Sequence, residues 1–236
     1  MKKTLLVFAI VFATLQIKAQ TSIFNNLLQT HVSTDGIVDY KSFKADKLKL
    51  DSYISYLEKT TPDNSWSANK QKAFWINAYN AYTIKLILEN YPLKSILDIK
   101  KDGKTAWKIS FAKVGGETYT LDHIEHEILR KTLFDPKIHV GVNCASGSCP
   151  KLGNVAFTEE NVEAELTKLM MAFINDGSRN KIDKKKVQIS EIFNWFKDDF
   201  TKNGSVIDYL NKYAETEIKS NAKISYLKYD WSLNGK

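Results

Sequence analysis

The sequence predicts an α+β fold in which an N-terminal helical layer packs against a mostly antiparallel sheet. Three observations lead there. Apolar residues recur at helical spacing through the first ninety positions; the period shortens to two after Pro92; and the strand-like segments that follow can pair antiparallel. A helical layer facing a sheet is also compatible with papain-like or transglutaminase-like arrangements, a likeness of layers only.

The elements follow in order. "SIFNNLLQTHV" reads as a helix that ends near the turn at Gly36. "FKADKLKLDSYISYLEKT" repeats the pattern and stops before Pro62. The strongest helix starts after Ser67, a good N-cap, and runs through "ANKQKAFWINAYNAYTIKLILENY" to Pro92. In "TAWKISF", Trp107, Ile109 and Phe111 alternate with polar residues, as in a half-buried strand, and "AKVGG" turns it into "ETYTL" to make a hairpin. "LDHIEHEILRKTLF" returns to helix, and "IHVGVN" reads as a core strand. "TEENVEAELTKLMMAFIND" is an amphipathic helix capped by Thr158, with Gly177 beyond its end. "KKVQIS" is a strand, "EIFNWFKDDF" and "SVIDYLNKYAETEI" are helices, and "KISYLKYDWSLN" closes as a strand.

At the N-terminus, Lys2 and Lys3 precede an apolar run from Thr4 to Ile17, with Ala19 at a plausible cleavage point. The run is short for a bilayer span and is broken by Lys18, so residues 1–19 are expected to be a cleaved signal peptide and residues 20–236 a single domain. The expected location is periplasmic or secreted, with no stable membrane span after cleavage. A chain of this length should bury about 70% of the surface its unfolded form exposes. The formal charge of +7 overstates the basicity of the mature chain, because removal of Lys2, Lys3 and Lys18 leaves 31 basic against 27 acidic residues. That modest excess argues against a nucleic-acid partner; a small-molecule or peptide ligand is the expected class.

Several polar residues fall where water is scarce. On a helical wheel Gln71, Lys85 and Glu89 mark the wet face of the long helix, and Asn77 and Asn80 lie opposite with Ala73, Ala81, Ile84 and Leu88. Such amides need partners, either in a structural network or around a ligand pocket. In "LDHIEHEILR" the apolar face is Leu121, Ile124, Ile128 and Leu129, with Glu125 in its middle. A carboxylate there must be paired, hydrogen-bonded or protonated, and a raised pKa suits acid–base chemistry. His123 and His126 point the other way, and no HExxH pattern occurs, so neither a metal nor another cofactor is expected.

Both cysteines of the chain, Cys144 and Cys149, lie in "IHVGVNCASGSCP". As an extended strand this segment separates His139 and Cys144 by about 16 Å on opposite faces, whereas a turn at "ASGS" brings Cys149 back towards His139. Gly141 leaves a gap where a ligand or another backbone can come close. Outside the cytosol the two thiols favour a disulfide closing a tiny loop, worth about 2 kcal/mol; a catalytic thiol and two free buried thiols are the alternatives.

The segments "AFWINAYNAYTI", "LDHIEHEILR", "DPKIHVGVNCASGSCPKL", "ISEIFNWFKDDF" and "YDWSLN" resemble, in order, the domain of unknown function 547 family, which occurs in exported bacterial proteins and in plants. The resemblance runs from about Gly36 to Asn234 and covers Asn77, Asn80, Glu125, Arg130, His139, Cys144, Cys149, Pro150, Tyr229, Asp230 and Trp231. The family has no assigned activity, so the resemblance implies shared residues rather than a reaction.

Two functions of different class fit. In the first, the protein is a thiol-dependent acyl-transfer or hydrolytic enzyme on peptide-like amides or esters. Cys144 or Cys149 is then the nucleophile and His139 its base, with Glu125 or an Asn amide orienting the imidazole and "ASGS" amides serving as oxyanion donors. Asn77, Asn80, Asn143 and Ser146 are the candidate substrate-binding residues. In the second, the protein is a non-catalytic binding or structural module of the cell envelope, stapled by a Cys144–Cys149 disulfide.

Overall fold

The structure, a computed structural model, describes residues 20–235, so the expected signal segment lies outside the described residues. A helix over 20–31 leads into Tyr40–Ala45 and Lys47–Lys59, and these pack around the long helix Ala68–Asn90. Ser67 caps the long helix as expected, its hydroxyl accepting from the Lys70 N–H. From Ala73 to Ile84 every residue of this helix is buried. A helix enclosed on all sides belongs at the centre of a domain, which explains why its wet face shrinks to the two ends.

The α+β class holds, and most strand pairs are antiparallel, but the strands form three small sheets rather than one. Lys100–Lys101 pairs with Lys104–Thr105, and Ala112–Val114 with Glu117–Tyr119. Lys181–Ile182 pairs antiparallel with Lys186–Ile189, which pairs parallel with Lys223–Tyr226. The expected hairpin therefore exists in a shifted register. Gly115 and Gly116, both at positive φ, form its two-residue turn, while Ala106–Lys108 is a tight 3-10 turn rather than a strand.

Two further expectations are corrected. "IHVG" is a short helix, Ile138–Gly141, not a strand. Asp135 starts it by accepting from the Lys137 and Ile138 N–H groups, and a Cβ on Gly141 would lie 2.7 Å from Leu166. Gly141 thus serves close packing on the helix Val162–Ile174 and not the approach of a ligand. "EIFNWFKDDF" and "SVIDYLNKYAETEI" contribute only short helices, Ile192–Trp195, Lys197–Phe200 and Val206–Leu210. The segment containing Glu125 winds as a π-helix, His123–Thr132, which a helical wheel cannot distinguish from an α-helix. Among the described residues no helix is long and apolar enough to cross a membrane.

Candidate active site

A cavity of about 220 Å³ opens where the long helix, the π-helix, the cysteine loop and the C-terminal segment meet. Glu125, His139, Cys144 and Cys149 all line it, together with Tyr79, Trp107, Trp195, Phe196, Tyr229 and Trp231. The four residues expected to carry chemistry therefore converge. A larger cleft of about 680 Å³ beside Asn180 and Lys186 contains neither histidine nor cysteine.

The cysteine loop is clamped from outside. Gly147 and Ser148 donate to the carbonyls of Ser232 and Asp230, and Asn234 N–H donates to the carbonyl of Ala145. Arg179 donates to the carbonyls of Cys149 and Gly147. These bonds lay "YDWSLN" along the loop and bring Tyr229 and Trp231 into the cavity wall.

Both cysteines are free, so the expected disulfide is not formed. They lie side by side: the Cys144 N–H donates to Cys149 Sγ at 3.2 Å, and the sulfur of Cys144 meets the hydroxyls of Ser146 at 3.1 Å and Tyr229 at 3.3 Å. The Cys149 thiol, joined by the Ser146 and Tyr229 hydroxyls, holds the half-buried Cys144 thiol below the ordinary cysteine pKa in spite of burial. Burial pushes Cys149 well up, and its neighbour's charge adds to the rise. One bond from a backbone N–H does not offset so deep a position. Cys144 is thus the more readily ionised thiol of the pair, with Cys149 as its hydrogen-bond donor.

His139 Nε2 lies 2.8 Å from Asp199 Oδ2, and the imidazole stacks on Phe196 with centroids 4.1 Å apart. Burial lowers the His139 pKa, against the pull of Asp199, so the ring is neutral near pH 7. For Asp199 burial acts upward, but the bonds from His139 and from Arg130 Nε at 2.6 Å hold its carboxyl far below the usual range. With Nε2–H donated to this carboxylate, Nδ1 is the basic nitrogen. No hydrogen bond joins His139 to either sulfur, so this is not an assembled thiolate–imidazole pair. Asp199 went unnoticed in the sequence, sixty residues from its partner; only its place in "WFKDDF" hinted at it.

Glu125 is buried on the π-helix as the wheel implied, and burial raises its pKa against the opposing pull of His126, Tyr79 and Arg130. The Tyr79 side chain lines the same cavity beside it. Sequence reasoning passed over Tyr79 because a buried tyrosine on an apolar helix looks like core.

The expected substrate-binding amides do not line the cavity. Asn77 binds both the carbonyl and the N–H of Phe157, at 2.7 and 3.0 Å. Asn80 donates to the Gly141 carbonyl and accepts from the Asn143 N–H. Asn143 donates to the Pro150 carbonyl and accepts from Ala145 and Asn234. These amides satisfy backbone groups, the network reading of their burial. Ser146 is buried too, but beneath the Cys144 sulfur, and donates to Tyr229 at 2.9 Å. Three of the four "ASGS" amides are engaged, Ala145 donating to Asn143 and Gly147 and Ser148 to the C-terminal segment, while the Ser146 N–H lies near the Cys144 sulfur. Those three are not available to an oxyanion. Among the described residues no group of three or more His, Cys, Asp or Glu is placed to hold a metal.

Residues 64–174 match a family model described as "Protein of unknown function, DUF547". The match includes Tyr79, Glu125, His139 and both cysteines, while Trp195, Asp199, Tyr229 and Trp231 lie beyond it. No curated protein and no solved structure matches the chain.

Proposed function

We propose that this chain, a member of the DUF547 family, is a cysteine-dependent acyl-transfer or hydrolytic enzyme acting on peptide-like amides or esters, with Cys144 as nucleophile. One observation carries the reading: a free Cys144 with a depressed pKa faces a cavity that also holds a neutral imidazole and a buried carboxyl group whose pKa is raised. The Cys144 thiolate attacks the carbonyl carbon, forming an S–C bond and a tetrahedral oxyanion. Glu125, in the protonated form that its burial favours, donates a hydrogen bond to that oxygen. Collapse breaks the C–N or C–O bond, and the leaving group takes a proton from solvent water. A second water, deprotonated by His139 Nδ1, attacks the thioester carbon; the C–S bond breaks, the acid leaves, the thiolate is restored and His139 returns its proton to solvent. Asp199 positions His139 and keeps its tautomer fixed. The same free thiols argue against a disulfide-stapled module. We place the reaction outside the cytoplasm, on the strength of the N-terminal lysines and apolar run.

The test is alkylation by iodoacetamide across pH, with the adduct located by mass spectrometry. A single adduct on Cys144, with its midpoint below that of an ordinary cysteine, is expected. No reaction before reduction, or reaction at Cys149 alone, overturns the proposal.

A further inference from the structure

We infer that the cavity beside Cys144 receives a cationic side chain of the acyl donor, of the alkylammonium kind carried by lysine. The inference rests on the acyl-transfer reading of the same cavity and adds the substrate class. Its first support is the aromatic wall. Trp195 and Trp231 lie nearly parallel, 19° apart, while Trp107 is turned 76° from Trp231 and Tyr229 is turned 50° from Trp195. Rings set at such different angles suit a compact group touched from several sides better than a flat ring or sugar, and the faces of Trp and Tyr attract cations. Trp195 remains 47% exposed, so its surface is open to an incoming group.

The second support is charge. The chain has 34 Lys and Arg against 27 Asp and Glu, yet no Lys or Arg lines this cavity among the described residues, whereas the Asp122 carboxylate does, and Glu125 is uncharged in the proposed reaction. The nearest guanidinium, Arg130, is engaged by Asp199 and covers Phe196 from 4.8 Å. An anionic group would meet the Asp122 carboxylate here with no Lys or Arg to answer it; a cationic one meets aromatic faces and that carboxylate. The third is size: about 220 Å³ accommodates a single side chain.

The experiment has two arms. In the first, tryptophan fluorescence of the wild-type chain is titrated with tetramethylammonium chloride, against neopentanol as the uncharged isostere and sodium chloride as the salt control. Saturable quenching by the ammonium alone supports the inference; equal response to neopentanol, or no saturable response, overturns it. In the second, methyl esters of N-acetyl-lysine, N-acetyl-norleucine and N-acetyl-glutamate are compared as substrates. The lysine ester should exceed norleucine by about tenfold in kcat/KM, with glutamate slowest, and Trp195→Ala should remove the preference. Norleucine turned over as well as lysine overturns the cationic assignment and leaves catalysis standing. If no ester is cleaved, catalysis falls, and the fluorescence arm still decides what the cavity binds.

Discussion

Asn77 and Asn80 share the long helix with Tyr79, and all three are buried, yet they meet different surroundings. Each asparagine closes on backbone: Asn77 on Phe157, and Asn80 on Gly141 and Asn143. Tyr79 faces the cavity beside Glu125, itself titratable. The same holds around it, where His139 meets Asp199 and Cys144 meets Cys149. Backbone partners have no proton to give up, so the asparagine region can only stabilise. Partners that titrate can redistribute protons, and the cavity side is where buried polarity is suited to chemistry.

The largest expected effect separates these regions by function. Cys144→Ala should lower ester turnover by roughly 10³-fold or more while its melting temperature stays near that of the wild type. Asn77→Ala should keep the alkylation profile of Cys144. A Cys144→Ala variant with wild-type turnover would erase the distinction. Asp199→Asn comes next, because it leaves Arg130 and His139 without their shared carboxylate. A loss of about 3–5 kcal/mol is expected in denaturant unfolding, as for one member of a buried charged pair. In the folded fraction the His139 pKa should drop further, since Asp199 is what holds it up; NMR titration of the imidazole reads this directly. Asn77→Ala should cost about 1–3 kcal/mol for each Phe157 backbone group left bare, with no pH dependence of its own.

The comparison also marks how far the sequence could be read. Burial was legible, because it follows from periodicity: Leu121, Ile124 and Leu129 carry Glu125 inward, and Ala73, Ala81 and Ile84 carry the two asparagines. What a buried polar group finds when it arrives was not legible. Asn77 meets Phe157 eighty residues away and His139 meets Asp199 sixty away, and no local pattern encodes such contacts. "IHVG" alternates like a strand, but Asp135 and the packing of Gly141 on Leu166 decide for a helix. The terminal "YDWSLN" read as a plain strand, whereas its value lies in clamping the cysteine loop and delivering Tyr229 and Trp231.

The smallest effect is the most specific to the cavity side. Burial makes the folded Glu125 hold its proton to higher pH than the unfolded chain does, against the pull of His126, Tyr79 and Arg130. Its contribution to stability is therefore fully present below the unfolded carboxyl pKa and is lost as pH rises through the folded value, because the folded state there binds more protons than the unfolded one. Glu125→Gln, a neutral isostere, has no such loss. The stability difference between variant and wild type should thus shift towards the variant from about pH 4 to pH 8, by about 1.4 kcal/mol for each tenfold change in proton affinity on folding. The titrations of Asp199 and His139 occur in both proteins and largely cancel in the difference. A difference that stays flat over this range would mean that Glu125 is already ionised when folded. It would then lack the proton assigned to the oxyanion, and proton movement on the cavity side would rest on Cys144 and His139 alone.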